Sequence, residues 1–155
     1  MFALFKSASS SLELIRGPLE HSAPHLLLIE LSAERLTLAK RRWRGRAADN
    51  REFGFDLEHP LKHGDLFFET STHCYRIAQT PEPVLCVELS SPDQAARIAW
   101  QVGNLHFPVM IGEGFLLVED DIALRQMFER EQIHFSVTSA VFQSSAGTAG
   151  HHHHH

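Results

Sequence analysis

The sequence predicts a mixed α+β protein in which a β-rich half precedes a region of alternating strands and helices. Residues 52–57 alternate polar or small residues with apolar ones, which is typical of a half-buried strand. A dense turn signal occurs at residues 80–83. Beyond it, residues 94–102 repeat apolar side chains at helical spacing, and the predicted apolar face consists of Ala95, Ile98, Ala99 and Val102. This change of period predicts a domain boundary close to residue 80.

The first domain, residues 1–80, is expected to be all-β and to contact protein partners. Strands are predicted at residues 25–31, 40–46, 52–57, 66–68 and 75–78. Residues 47–50 are predicted to be the turn that joins the second and third of these strands in a hairpin. Phe53, Phe55 and Leu57 should then face one core.

The second domain, residues 81–143, is expected to be ferredoxin-like, with the order βαββαβ. A strand at 84–89 precedes a helix capped by Ser90 or Ser91, with Pro92 in its first turn. Residues 109–111 and 115–118 are predicted to form a hairpin, and the last strand is expected at 135–142. Asp120 or Asp121 should cap a second helix. Its side chains that face inward are expected to be Ile122 or Ala123, Leu124, Met127 and Phe128.

Composition narrows the function classes. The net charge of −5 argues against nucleic-acid binding, which requires the neutralisation of phosphates. No apolar run is long enough to span a membrane and the start lacks a secretory signal, so a cytoplasmic protein is expected. We find no catalytic signature, and no enzyme activity is expected. A hydrolase that uses Cys74 and His73 as a Cys-His couple, in a predicted edge segment, is the weaker possibility. Cys86 is predicted to be a core residue.

Histidine is the unusual residue, with 12 in the chain. The first predicted helix of the second domain is expected to stop at Gly103-Asn104. His106 lies just after it, within Gly-Asn-Leu-His-Phe-Pro at residues 103–108. A neutral imidazole is a good ligand for borderline divalent ions such as Ni(II), but one imidazole binds weakly. From these residues alone, a structural histidine that packs beside Pro108 in a non-metal adaptor module of ferredoxin-like fold is the alternative.

The element at 103–108 resembles the GN-x-H-x-P signature of the urease accessory protein UreE family. The order of helix, hairpin and second helix around it is similar to that family, and residues 42–65 resemble its N-terminal domain. The resemblance implies a homodimeric nickel metallochaperone that delivers Ni(II) as cargo to the urease apoenzyme and its accessory proteins, including the accessory GTPase. It also implies a metal site made by His106 of both subunits. Zn(II) or Cu(II) could bind in vitro.

Several expectations follow from this resemblance. Some relatives carry further histidines where this chain has Gln101, Asp120 and Ile122, so other sites on the globular body are doubtful. Asp120 and Asp121 could supply oxygen donors, although helix capping is the simpler interpretation of both. Residues 144–155 are expected to be a flexible His-rich tail, either native or a purification tag, and its candidate ligands are His151, His152, His153, His154 and His155. The basic stretch with Arg42, Arg44 and Arg46 is interpreted as a partner-docking surface, with a solvated strand face or an RNA patch as alternatives.

Overall fold

The computed structural model describes residues 12–145, which form two compact units that divide between Thr80 and Pro81. Within these residues strands dominate and three helices accompany them, so the α+β class is confirmed. None of the described helices is long and apolar enough to cross a membrane.

The first unit contains two three-stranded sheets and one helical turn. Its elements are β1 (Glu13–Ile15), β2 (Leu27–Ala33), α1 (Arg35–Leu38), β3 (Arg42–Arg46), β4 (Glu52–Asp56), β5 (Leu66–Glu69) and β6 (His73–Gln79). One sheet has the strand order β1-β4-β3 and the other has the order β2-β6-β5. Two of the pairings are parallel, namely β1 with β4 and β2 with β6.

The hairpin predicted in this unit is confirmed, because β3 and β4 pair antiparallel across the turn. Phe53, Phe55 and Leu57 are at most 3% exposed and belong to one cluster, as expected. Trp43 stacks on Phe55 with ring centroids 3.8 Å apart. Since neighbouring side chains in a strand point to opposite faces, this packing turns the arginines of β3 outward.

The all-β expectation is wrong at α1. A single helical turn buries Leu38, which is 4% exposed, and leaves Leu36 at 67%. Four residues are too few to distinguish the period of a helix from that of a strand, so this turn could not be predicted from its own residues. The strand β1 was not predicted, because its three residues show no period and its position depends on pairing with the distant β4.

The second unit is a four-stranded antiparallel sheet with two helices. Its elements are β7 (Glu82–Glu88), α2 (Pro92–Asn104), β8 (Val109–Ile111), β9 (Phe115–Glu119), α3 (Ile122–Arg130) and β10 (Ser136–Ala140). The strand order is β10-β7-β9-β8, which makes β10 and β8 the two edges. The elements follow the predicted order along the chain.

Both helices begin at predicted caps. The Ser91 hydroxyl accepts a hydrogen bond from the Gln94 N–H at 3.2 Å, and the Asp121 carboxylate accepts one from the Ala123 N–H at 2.7 Å. The expected inward position of Ile122 or Ala123 is wrong, because both are exposed, and Ile122 is 68% exposed. Ile122 is the first residue of α3, and burial begins only at Leu124.

The sheet of the second unit is covered on both faces. Alternate residues of β7 and β9, including Leu85 and Val118, pack with the helices in one cluster. Val84 of β7 and Leu117 of β9 lie on the other face, where they form a second cluster with Phe142. Residues that follow the last strand therefore contribute to the core of the helix-free face.

The last strand ends at Ala140, so the prediction that it extends to Phe142 is wrong. Phe142 is fully buried on the helix-free face. Farther along, the Gln143 N–H donates to the Met110 sulfur at 3.4 Å, and the Ser145 hydroxyl accepts from the Ile111 N–H at 2.9 Å. We call residues Phe142–Ser145 the C-terminal strap, since they lead from the β10 edge to the β8 edge.

Candidate metal site

His106 occupies a fixed backbone position at the end of α2. Its φ is 63°, in the left-handed region. The His106 N–H donates to the Gly103 carbonyl at 2.9 Å, and the Phe107 N–H donates to the Val102 carbonyl at 3.3 Å. These two bonds form the Schellman motif, with Leu105 as the helix cap. His106 therefore takes the position that glycine usually holds, since glycine has no Cβ to clash there.

Two neighbouring side chains of this motif differ in burial, because Phe107 is partly buried whereas His106 is exposed. Phe107 packs against the helix-facing core together with Val102, which holds the helix end to the sheet. His106 itself is exposed, and its imidazole has no hydrogen-bond or ion-pair partner within residues 12–145. A structural histidine would need such a partner, so the described contacts give that alternative no support. Both ring nitrogens are open to a ligand.

The other side chains that could bind a metal do not form a cluster with His106 in the described part of the chain. Within residues 12–145, no three His, Cys, Asp or Glu side chains form a group that could hold a metal ion. The globular body of one chain thus offers His106 alone at this position. A tight metal site built on it requires donors from a second copy or from the chain beyond residue 145.

The two aspartates considered as extra donors are engaged elsewhere. Asp120 accepts two hydrogen bonds from the Arg125 guanidinium, at 2.6 and 2.8 Å, and these hold the pKa of its carboxyl below the ordinary value. Asp121 caps α3. Helix capping, rather than metal binding, is therefore confirmed for Asp121. Asp120 does not cap the helix and instead forms an ion pair with Arg125.

Two exposed apolar side chains in this part of the second unit were not predicted. Trp100 is 68% exposed on α2, and Leu105, next to His106, is 43% exposed. Gln101 lies on the same helix and has a buried side-chain oxygen with no hydrogen-bond partner in the described part of the chain. Trp100 falls outside the predicted apolar face of the helix, and that mismatch is the signal that could have identified it.

The three arginines of β3 share one exposed face of the first unit. Arg42 donates to Asp56 at 2.7 Å, and this hydrogen bond holds the pKa of the Asp56 carboxyl below its ordinary value. Arg46 pairs with Glu52. Arg44 lies opposite Gly54 in the register and has no ion-pair partner in residues 12–145. Of the three candidates, only Arg44 thus presents an uncompensated charge within the described chain.

The cysteines do not form a catalytic couple. Cys74 is 2% exposed and lies in β6, the middle strand of its sheet, so the expected edge position is wrong. His73 precedes it directly, and adjacent residues of a strand point to opposite faces. The His73 Nδ1 instead lies 2.8 Å from the Thr72 hydroxyl. Cys86 packs at the edge of the helix-free core, as expected for a core residue.

The five tail candidates, residues 151–155, lie outside the described residues. Of the predicted tail, only Ser144 and Ser145 are described, and Ser145 ends the C-terminal strap.

Fold and site together define a small α+β protein whose candidate functional residue is an exposed imidazole at a helix end, without a partner in residues 12–145. Residues 82–155 match the family model described as UreE urease accessory protein, C-terminal domain. The chain belongs to the UreE family. That family consists of accessory proteins and not of enzymes, which confirms the expected absence of enzyme activity.

Individual relatives agree with this membership. The urease accessory protein UreE of Burkholderia ambifaria is 40% identical over 95 residues, which is 61% of this chain and 47% of the relative. UreE of Pseudomonas fluorescens is 32% identical over 120 residues, or 76% of this chain and 72% of the relative. UreE 2 of Pseudomonas syringae pv. syringae is 30% identical over the same length. The chain thus matches about half the length of the Burkholderia relative and most of the Pseudomonas ones.

Proposed function

We propose that this chain is a metallochaperone that binds Ni(II) and delivers it to the urease maturation complex, for assembly of the urease active site. The observation that carries the proposal is His106, an exposed imidazole with no partner in the described chain, held by the Schellman motif. Family membership supplies the biological setting, since the relatives are named urease accessory proteins.

A single imidazole must be supplemented before it can retain nickel. In a two-fold dimer the same patch meets itself, so two copies of His106 lie together at the axis. Trp100 on α2 and Leu105, directly before His106 in the sequence, both expose large apolar side chains, and burial of such surface in an interface favours association. The proposed site is therefore one Ni(II) shared by His106 of two subunits.

Transfer rather than catalysis is the role this site would serve. Imidazole ligands on an exposed surface exchange readily, so the ion can pass to a partner that offers better coordination. The histidines at residues 151–155 would be a second source of the same ligand. Affinity alone favours Cu(II) over Ni(II), and Zn(II) also binds imidazole, so nickel preference would depend on availability and on recognition of the partner.

The two compact units have separate roles in this proposal. The second unit has the element order βαββαβ and the strand order β10-β7-β9-β8, which supports a ferredoxin-like domain for dimerisation and metal binding. The first unit is assigned to partner contacts, with Arg42, Arg44 and Arg46 facing the urease apoenzyme or its accessory GTPase. Such positive charge speeds association with acidic surfaces.

Nickel titration by calorimetry tests the proposal. The chain without residues 151–155 should bind nickel tightly, and His106→Ala should abolish this binding. His134→Ala is the matched control, because His134 is also exposed in the second unit but lies after α3. Equal loss in both variants would point to nonspecific binding by surface histidines. Absence of tight binding in the parent chain would contradict the chaperone role and favour the adaptor alternative.

A further inference from the structure

The outer face of the β1-β4-β3 sheet carries three rows of side chains that run across the strands. In the first row, the Asp56 carboxylate of β4 lies 2.7 Å from the Arg42 Nε of β3 and 3.6 Å from the guanidinium of Arg16, which follows β1. In the third row, Glu52 of β4 pairs with Arg46 of β3. Each of these two rows therefore contains a carboxylate of β4 that compensates the arginine opposite it.

The middle row has no carboxylate, because β4 has Gly54 at this position. Its register partners are Leu14 of β1 and Arg44 of β3. Arg44 is exposed, and its guanidinium has no hydrogen bond, ion pair or ring contact within residues 12–145. The middle row of this face therefore carries a positive charge that the fold itself leaves without a counter-charge in those residues.

Two leucines, Leu12 and Leu14, lie close over Gly54, and we call them the leucine pair. A Cβ on Gly54 would lie 2.9 Å from the Cδ2 of Leu12 and 3.6 Å from the Cδ1 of Leu14. Gly54 is therefore buried, whereas Leu12 is 37% and Leu14 is 50% exposed. Glycine in a strand interior often marks such a close approach. The face thus presents an apolar surface on β1 and, two strand spacings or about 10 Å away, a free guanidinium on β3.

The charge and the apolar surface of this face together indicate the chemistry of its partner. The whole chain has a net charge of −5, yet the three rows contain four arginines and only two carboxylates. A guanidinium binds a carboxylate through two parallel hydrogen bonds, and exposed leucines gain from contact with another apolar side chain. A nucleic acid supplies phosphates but no aliphatic side chain for the leucine pair. A polypeptide with both kinds of group therefore fits the face better.

We propose that the outer face of the β1-β4-β3 sheet docks an acidic segment of a partner protein, whose carboxylate binds Arg44 while a neighbouring apolar side chain packs on the leucine pair. This inference rests on the proposed function, which assigns the arginines of β3 to partner contacts, and it identifies Arg44 as the anchor among them. Arg42 and Arg46 are already occupied by carboxylates of β4. Side chains two residues apart in an extended segment lie about 7 Å apart on one side, and the long arginine side chain covers the remaining distance.

NMR titration of the nickel-free chain with short peptides tests this binding chemistry. The probe is acetyl-Leu-Ala-Glu-amide, in which the apolar and acidic side chains lie two residues apart. It should shift the Nε–H signal of Arg44 and the amide signals of Leu14 and Gly54. Acetyl-Leu-Ala-Gln-amide should bind about tenfold more weakly, because it lacks the charge. Acetyl-Ala-Ala-Glu-amide should also bind more weakly than the probe, because it lacks the apolar contact.

Three outcomes of the titration would overturn the proposal. Equal shifts at the Nε–H signals of Arg42, Arg44 and Arg46 would indicate diffuse attraction by positive charge. Tighter binding of a thymidine tetranucleotide than of the probe would identify a nucleic-acid surface instead. Shifts at the same residues when the chain is concentrated without any peptide would place a second copy of the chain on this face.

Two matched pairs of variants separate the anchor from general charge. Arg44→Gln and Arg42→Gln remove the same charge from the same strand, and Asp56 keeps Arg16 as a partner in the second variant. Only Arg44→Gln should weaken probe binding about tenfold. Gly54→Asp and Gly54→Asn displace Leu12 alike, but only the aspartate supplies the carboxylate that the other two rows contain. Gly54→Asp should therefore bind the probe more weakly than Gly54→Asn.

Equal losses within either pair of variants would overturn the assignment of Arg44. All of these measurements are made without nickel and on chains that retain His106. Their failure therefore counts against the docking face alone, whereas a failed nickel titration counts against the proposed function.

Discussion

Replacement of His106 by glycine should stabilise the fold while it abolishes nickel binding. His106 holds the left-handed Schellman position with φ of 63°. That conformation costs a residue with a Cβ about 1–2 kcal/mol, and glycine avoids this cost. Glycine also gives the unfolded chain about 0.5–1 kcal/mol of extra entropy, which offsets part of the gain. We expect a net increase of about 0.5–1 kcal/mol in the free energy of unfolding without metal.

Two further variants isolate the cause. His106→Ala removes the same imidazole but keeps a Cβ, so it should be about 1 kcal/mol less stable than His106→Gly. Gln132 ends α3 in the same motif with φ of 55°, and the N–H of Ile133 donates to the Phe128 carbonyl at 2.8 Å. Gln132→Gly should therefore stabilise the chain to a similar extent and leave nickel binding intact.

Denaturant unfolding, monitored on the metal-free and nickel-loaded chains, measures these differences. Nickel at 100 times its dissociation constant should raise the stability of the parent chain by about 2.7 kcal/mol and leave both His106 variants unchanged. The order of stability between parent and His106→Gly should thus invert on addition of nickel. If His106→Gly is no more stable than His106→Ala without metal, the assigned backbone conformation is wrong.

The other predictions concern the strap, acid stability, docking and the tail. Phe142→Ala should lower the free energy of unfolding by about 3–5 kcal/mol, because it empties a fully buried site, and an effect below about 1 kcal/mol in denaturant unfolding would place Phe142 outside the core. The hydrogen bond from Arg42 lowers the pKa of Asp56 in the folded state, so its stabilising contribution is present above the unfolded pKa and is lost as the pH falls through the folded pKa. Asp56→Asn should accordingly flatten the acid limb of the stability profile, and an unchanged acid limb would count against this pair. The double change Arg42→Glu and Arg44→Glu should weaken assembly with the urease complex in a pull-down while nickel affinity stays constant; parallel loss of nickel affinity would contradict separate roles for the two units. Deletion of His151–His155 should reduce the nickel bound per dimer but leave one tight site, as counted by equilibrium dialysis, and an unchanged count would exclude a role for the tail.

Local signals explain which elements could be predicted. The helix α2 was anticipated because a serine cap, a proline in the first turn and an apolar face all occur within its own residues. The hairpin of β3 and β4 was likewise predicted, because polar and apolar residues alternate in the second strand and turn residues precede it. By contrast, β1 and α1 depend on contacts far along the chain, and each is shorter than the window needed to detect a period.

The candidate site was predictable in identity but not in geometry. The GN-x-H-x-P element identified His106, and Gly103-Asn104 was expected to stop the helix. The helix instead includes both residues, and the left-handed turn falls at His106. Phe107 must reach the core beside Val102, and this tertiary contact, rather than glycine preference, determines where the helix ends.

The C-terminal strap could not be predicted from the sequence. Val141-Phe142 continues the apolar pattern of β10, so a longer strand was expected. Only the three-dimensional sheet reveals an uncovered apolar face that Phe142 fills. A segment that crosses the face of a sheet, instead of extending a strand, produces no pattern of its own in the local sequence.

The proposed function depends most on the sharing of one metal between two subunits through His106. Native mass spectrometry of mixed parent and His106→Ala chains, both lacking residues 151–155, resolves the three dimers by mass in a single nickel titration. A shared site predicts one tightly held nickel on the parent dimer, much weaker binding on the mixed dimer and none on the variant dimer. A mixed dimer that holds nickel as tightly as the parent dimer would contradict the shared site.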